Sequence, residues 1–362
     1  MKAAVLHEVN KPLVIEDVSV PNPGPREVLI RTSVAGLCHS DLHFMEGLYP
    51  HPLPAVLGHE SAGVVEKVGS DVHYVKPGDH VVTCLSVFCG TCDNCTTGRT
   101  VLCTDTTVKM LPGQSNRLSW ARSEKLNQFL NLSSFAEQML VHENAIVKIR
   151  KDMPLDLAAL IGCGVITGFG AVVNTAKVAP GENVVVIGCG GVGLNSVQGA
   201  RLAGCSVIIA VDLSDAKLDA ARQFGATHVV NPQRDDLGGQ ISAITNGRKA
   251  DYVFVTVGAK SAIEQAFGLM RRGGATVIVG MPAAGVTTSF DPGWLAADGQ
   301  RILGSKMGSA RVQIDVPKLI DLYRQKRLML DELISGRYQL DEINEAVDSV
   351  RRGEALRNVI VF

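Results

Sequence analysis

Apolar positions along the chain fall into two rhythms. From the start to about residue 160 they come in short β-branched runs at 28–34, 62–68 and 80–83, the last following the turn Lys76-Pro77-Gly78-Asp79, with Gly and Pro between them. This predicts a β-rich, barrel-like domain. From Asn183 onward, short unbroken apolar runs at 184–187, 207–211, 228–230, 252–257 and 276–279 alternate with helical stripes such as Leu218, Ala221, Phe224 and Ile263, Ala266, Phe267. That alternation predicts a parallel sheet with helices on both faces. The last fifty residues, from about Gly308, carry a predicted helix over 316–324 and a strand over 359–362 and do not continue the alternation. They are expected to return to the first domain, leaving the α/β domain inserted in the middle. The expected division is 1–164 with 308–362, and 165–307.

At 362 residues the chain is long enough for two cores, and 46% hydrophobic with 20% charged residues is an ordinary globular composition. A formal net charge of -1 supplies no field to gather nucleic acid or an anionic membrane, so a small-molecule partner is expected. No uninterrupted apolar run reaches the length of about 18 residues that a spanning helix needs, and no signal-peptide pattern follows Met1. A cytoplasmic location is expected. Nine cysteines in a reducing compartment are thiols available to metal.

The run 184–187 leads into Gly188-Cys189-Gly190-Gly191-Val192-Gly193, and the following segment carries Val197, Ala200 and Leu202. This is G-x-G-x-x-G between strand and helix. Gly188 permits the tight turn, Gly190 lets a pyrophosphate approach, and Gly193 brings the helix close to the strand. Asp212 ends the next strand, where its carboxylate can accept from ribose hydroxyls and would repel a 2′-phosphate. NAD is therefore expected over NADP.

Cys89, Cys92, Cys95 and Cys103 place four thiols in a short polar stretch, a spacing suited to a closed, structural zinc site. A zinc ribbon for nucleic acid is disfavoured, since Thr91, Asp93, Asn94, Thr96 and Thr97 around the thiols are neither basic nor aromatic. Cys38, His59 and Cys163 are dispersed. Two thiolates and an imidazole would leave a tetrahedral position open for chemistry, but their spacing alone does not join them.

The motifs Gly36-Leu37-Cys38-His39-Ser40-Asp41, Gly58-His59-Glu60 with Gly63, the four-cysteine lobe, Gly162-Cys163-Gly164 and the glycine turn with Asp212 together resemble the zinc-containing medium-chain alcohol dehydrogenases, end to end. The resemblance implies an α/β protein with a β-rich, GroES-like catalytic domain and a Rossmann-type, doubly wound coenzyme domain. It makes Cys38, His59 and Cys163 the catalytic zinc ligands, Glu60 the nearby carboxylate and Asp41 the acceptor that orients the His59 ring. Two zinc ions per chain follow. Ser40 takes the alcohol proton and His43 relays it. His39, Thr167, Gly191, Val192, Lys217, Val257 and Arg357 join the glycines and Asp212 as cofactor contacts. Tyr49, Leu85, Phe129, Leu130 and Met281 are the candidate pocket residues, mostly apolar. The length of the 104–131 segment resembles the longer, dimeric form, a tetramer being the other assembly.

The expected reaction is hydride transfer between NAD and a primary or secondary alcohol or aldehyde, apolar or aromatic in its tail. A polyol or a glutathione adduct is the alternative. Tyr49-Pro50-His51-Pro52 stands where glutathione-dependent relatives carry acidic residues, which argues against the adduct. A non-catalytic NAD-binding protein of the same fold is the remaining class, and no zinc ligand is missing to support it.

Overall fold

A computed structural model describes residues 1–110, 117–120 and 125–362. Parts of the 104–131 segment, residues 111–116 and 121–124, lie outside the described residues. The chain divides into two compact units, Met1–Cys163 with Arg311–Phe362, and Gly164–Ala310.

The first unit is β-rich. Its larger sheet has seven strands, with Glu27–Leu37 at the centre between Glu60–Val68 and Arg357–Val361, and Gln138–His142 pairing with the same central strand. The central strand is longer than the 28–34 run, because Ala35 and Gly36 keep pairing on both sides and Leu37 pairs with Asn358. Its register sets Gly36 opposite Glu60 on one neighbour and opposite Val359 on the other. The residues just past these pairs, Cys38, His59 and Arg357, are thereby delivered to one end of the sheet. A second sheet, of five short strands among the described residues, includes Lys2–Leu6, Val14–Ser19 and Ala55–Val56 and closes over a core that includes Leu37, Leu42, Phe129, Phe135 and Ile360.

The second unit is a six-stranded parallel sheet in the order His228–Val230, Val207–Val211, Asn183–Ile187, Ala250–Val255, Met270–Ile278, Arg301–Gly304. In chain order that is 3-2-1-4-5-6, the doubly wound arrangement whose ligand crevice opens beside the first strand. Val184, Val185 and Val186 are fully buried, as a central parallel strand covered on both faces requires. The strand expected over 252–257 ends at Val255, because Thr256 turns its hydroxyl onto the carbonyls of Ile187 and Gly188. The strand expected over 276–279 begins earlier, at Met270, with a register shift against Ala250 and Tyr252.

The helix expected over 316–324 starts earlier too, at Val312, with Pro317 inside it. Among the described residues, one helical stretch, Leu155–Ala176, is long and apolar enough to cross a membrane, and most of it is buried inside the protein.

Candidate metal centre and nucleotide turn

The metal centre is built on three backbone devices. Cys38 caps the helix His39–Met45, at the exit of the central strand. His59 precedes the strand Glu60–Val68. Cys163 lies in a widened helical turn, Ile161–Val165, of the kind that appears at functional sites. Gly162 lets that turn dock, since a Cβ there would sit 2.2 Å from the Thr83 carbonyl oxygen.

All three side chains are buried, and one ligand atom from each lies within 4.8 Å of the others. Asp41 organises them. It is fully buried, accepts from the Cys38 N–H (3.1 Å) and the Gly58 N–H (3.2 Å), and pairs with His59 Nδ1 at 3.0 Å. The ring is thereby held with Nε2 as the ligand nitrogen. Nε2 is buried without a hydrogen-bond partner, which is the state expected of an atom reserved for a metal. A hydrogen bond from Cys163 and the nearby Arg357 guanidinium hold the Cys38 thiol well below its ordinary pKa. The pair therefore presents negative charge toward the centre. Glu60 is fully buried, and burial raises its carboxyl to about 7 against the opposing pull of Arg357, whose Nη2 is 3.9 Å away. Arg357 is itself buried and donates to the Leu37 carbonyl at 3.5 Å.

The four-cysteine lobe is equally compact. Cys92 and Cys95 sulfurs lie 3.5 Å apart, Cys92 and Cys103 3.9 Å, and Cys89 and Cys95 3.9 Å. A zinc tetrahedron with arms of about 2.3 Å has sulfur edges of about 3.8 Å, so the lobe has the dimensions of a closed site. The backbone N–H groups of Thr91 and Cys92 point at Cys89 sulfur (3.4 and 3.3 Å), as donors around a thiolate should. Hydrogen bonds involving the backbone of Thr104 and Cys95 bring the Cys92 thiol down to about 6, while burial raises Cys95 to about 12. The residues of both groups fit zinc, two ions per chain.

In the second unit the glycine turn has the geometry a dinucleotide needs. Gly188 takes φ +95°, Gly190 has open space where a Cβ would point, and a Cβ on Gly193 would fall 1.7 Å from the Gly188 carbonyl oxygen. The helix Gly191–Ala203 starts there, with its first N–H groups available to an anion. Asp212 accepts from Cys189 N–H (2.7 Å) and Ser214 N–H (2.9 Å), which places its carboxylate at the turn. Lys217 is half-buried, and Val257 packs beside Gly188. Thr167 donates toward Met307 sulfur at 3.6 Å. His39 is exposed.

Ser40 is half-buried, its Oγ 3.8 Å from Cys38 sulfur, and His43 meets the Tyr49 ring edge-on at 5.5 Å. A cavity of about 480 Å³ opens beside this helix, lined by Val9, Phe44, Tyr49, Pro50, His51 and Pro52. Phe129 is fully buried behind it, 4.7 Å from the Phe44 centroid and 5.9 Å from that of His59. Leu85 and Leu130 are partly buried against the two hydrophobic cores of the first unit, and Met281 is a surface residue of the second. Phe44 and His51 were not expected here. Phe44 was detectable as the residue one helical turn beyond Ser40, on the same face. His51 carried no periodic signal.

Comparison with known proteins agrees with this assembly. Residues 24–151 match the alcohol dehydrogenase GroES-like domain, and residues 191–325 the zinc-binding dehydrogenase domain. An alcohol dehydrogenase class-3 of Cereibacter sphaeroides is 38% identical, with 100% of this chain and 99% of the relative covered. An S-(hydroxymethyl)glutathione dehydrogenase of Paracoccus denitrificans is 37% identical over the same shares. The crystal structure of benzyl alcohol dehydrogenase from Acinetobacter calcoaceticus superposes with a TM-score of 0.93 at 35% identity, covering 100% of this chain and 99% of that one.

Proposed function

The chain belongs to the zinc-binding medium-chain dehydrogenase family, and from that premise we propose that it oxidises a hydroxymethyl group carried as a glutathione thiol adduct. The reaction class, NAD-dependent zinc oxidation of an alcohol or reduction of an aldehyde, is carried by one observation: the buried Cys38, His59 and Cys163 group with Asp41 on the outer nitrogen of the imidazole. The adduct is supported by the Paracoccus relative named for it. On this point the relatives favour the glutathione alternative over the apolar alcohol expected from the sequence.

Bound zinc and NAD supply Lewis acidity and a hydride acceptor. The remaining work falls to the chain. Asp41 keeps the His59 proton on Nδ1, Ser40 accepts the proton of the substrate hydroxyl, and His43, partly buried on the same short helix, passes it to solvent. Glu60 is the carboxylate able to approach the metal, and Phe44, Tyr49 and Phe129 keep the reacting carbon dry. Gly188, Gly190, Gly193 and Asp212 hold the nucleotide, with Lys217 as a further contact. In this reading the enzyme works in the cytoplasm, and the length of its 104–131 segment is in line with a homodimer.

A second reading, an aromatic primary alcohol, has its own observation. The cavity wall is aromatic, and the structural likeness to a benzyl alcohol dehydrogenase is close. Steady-state kinetics on S-(hydroxymethyl)glutathione and benzyl alcohol, each with NAD and NADP, separates the two. The adduct should lead in kcat/KM by at least about tenfold, equivalent to roughly 1.4 kcal/mol, with NAD leading NADP by a similar factor. The reverse order of substrates would install the aromatic reading. Absence of NAD-linked turnover on both would reject the dehydrogenase.

A further inference from the structure

His51 stands in the cavity wall between two prolines, which lack N–H groups and hold φ near −65°, so its backbone has little room to reorient. Its ring is wedged edge-on against Phe44 (6.0 Å, 88°) and Phe129 (5.3 Å, 88°). Phe129 in turn meets His59 edge-on, so one aromatic ring separates His51 from a zinc ligand. The rest of the wall is apolar apart from the Tyr49 hydroxyl. An imidazole in such a place is either a packing ring or, beside the Tyr49 hydroxyl, a polar contact the cavity offers.

The nitrogens decide between these roles. Nε2 is buried with no hydrogen-bond partner, and no described residue hydrogen-bonds Nδ1, which leaves Nδ1 as the nitrogen a ligand can reach. A dry N–H is costlier than a dry lone pair, so the proton belongs on Nδ1. Burial also lowers the pKa of the ring, keeping it neutral. In an apolar wall with no cation, a neutral donor favours an uncharged oxygen, because a carboxylate would give up more hydration there than one hydrogen bond returns.

We propose that His51 is a specificity-determining residue, donating an Nδ1–H hydrogen bond to an uncharged oxygen in the substrate's tail, remote from the reacting carbon. This rests on the dehydrogenase reading above. An amide carbonyl of a thiol adduct and a ring ether or hydroxyl of an aromatic alcohol share that chemistry.

Two matched pairs test it on the zinc-loaded enzyme with NAD. One pair is 4-methoxybenzyl and 4-ethylbenzyl alcohol. The other is the S-(hydroxymethyl) adducts of N-acetylcysteamine and 1-pentanethiol. In at least one pair the oxygen-bearing member should lead in kcat/KM by about three- to tenfold, the range of one neutral hydrogen bond. The pair that responds identifies the source of the oxygen. His51→Phe keeps a ring of similar size and should erase the preference, while kcat on the oxygen-free member stays within about twofold. His51→Asn, with a smaller donor, should restore part of it. An unchanged preference in His51→Phe, no preference in the unmodified enzyme, or an equal loss on both members with zinc content lowered would overturn the proposal. Turnover of neither pair would remove the dehydrogenase reading together with it, whereas turnover without preference counts against His51 alone.

Discussion

Ser40 shows how much a single position can decide. A serine beside a helix start is ordinarily a cap, but the cap of His39–Met45 is Cys38, and the capping carboxylate is Asp41, which accepts from the Cys38 N–H. The Ser40 hydroxyl is therefore not committed to closing the helix. In its proposed role as acceptor of the substrate proton, it should matter by the usual ~10² to 10⁴-fold of general acid–base assistance. Ser40→Ala should lower kcat/KM within or near that range while zinc content and NAD affinity hold. His43→Gln should cost less, since water or buffer replaces a terminal relay, and added imidazole should recover part of its rate. Retention of more than about half of the activity in Ser40→Ala would remove the hydroxyl from the proton path. At this scale much was legible, because thiol, imidazole and carboxylate side chains carry their chemistry with them. Phe44 carries a signal only through its helical spacing from Ser40, and nothing in the local pattern of His51 tells which surface its ring will face.

Short elements add behaviour that no catalytic side chain supplies. His142 closes the strand Gln138–His142 and caps the turn Glu143–Ala145, its Nδ1 accepting from the Asn144 N–H at 3.1 Å. The ring must be neutral to accept. Burial, helped by Arg26 and Arg117, brings its pKa from 6.5 to about 4. Between those values the unfolded chain binds a proton that the folded one refuses, so stability is full above about 6.5 and is lost as pH falls toward 4. His142→Asn retains an acceptor that does not titrate. Thermal midpoints measured at pH 7.5, 6.5, 5.5 and 4.5 should show the variant losing less than the unmodified protein across the lower part of that series. Parallel curves would mean that the cap does not report on acid lability, and any zinc release common to both proteins cancels in the comparison. Element type was legible from apolar spacing, while several ends were not. The strand 252–257 loses its last two positions to the glycine turn, and the helix 316–324 extends back to Val312.

Over the whole molecule, two metal groups share one chain and differ in how they are assembled. The lobe draws its four thiols from residues 89–103, whereas the other centre needs residues 38, 59 and 163 brought together. Elemental analysis of the purified protein should find two zinc ions per chain. Cys163→Ser should leave about one, with the thermal transition still cooperative, because the remaining site closes within a single lobe. A count of two retained in that variant would show that Cys163 is not a ligand. By itself the sequence determined the chemistry at each position and the class of fold, since residue type, apolar period and the glycine turn are all local properties. It also placed the lobe, whose ligands are neighbours along the chain. Which distant thiols and imidazole would meet was decided by tertiary structure: strand register aligns Gly36 with Glu60 and Val359, and the Gly162 contact with Thr83 sets the turn of Cys163 beside them. The cavity, with His51 in its wall, was decided there as well, because the direction a ring faces is set by what packs behind it, and here that is Phe129, far along the chain.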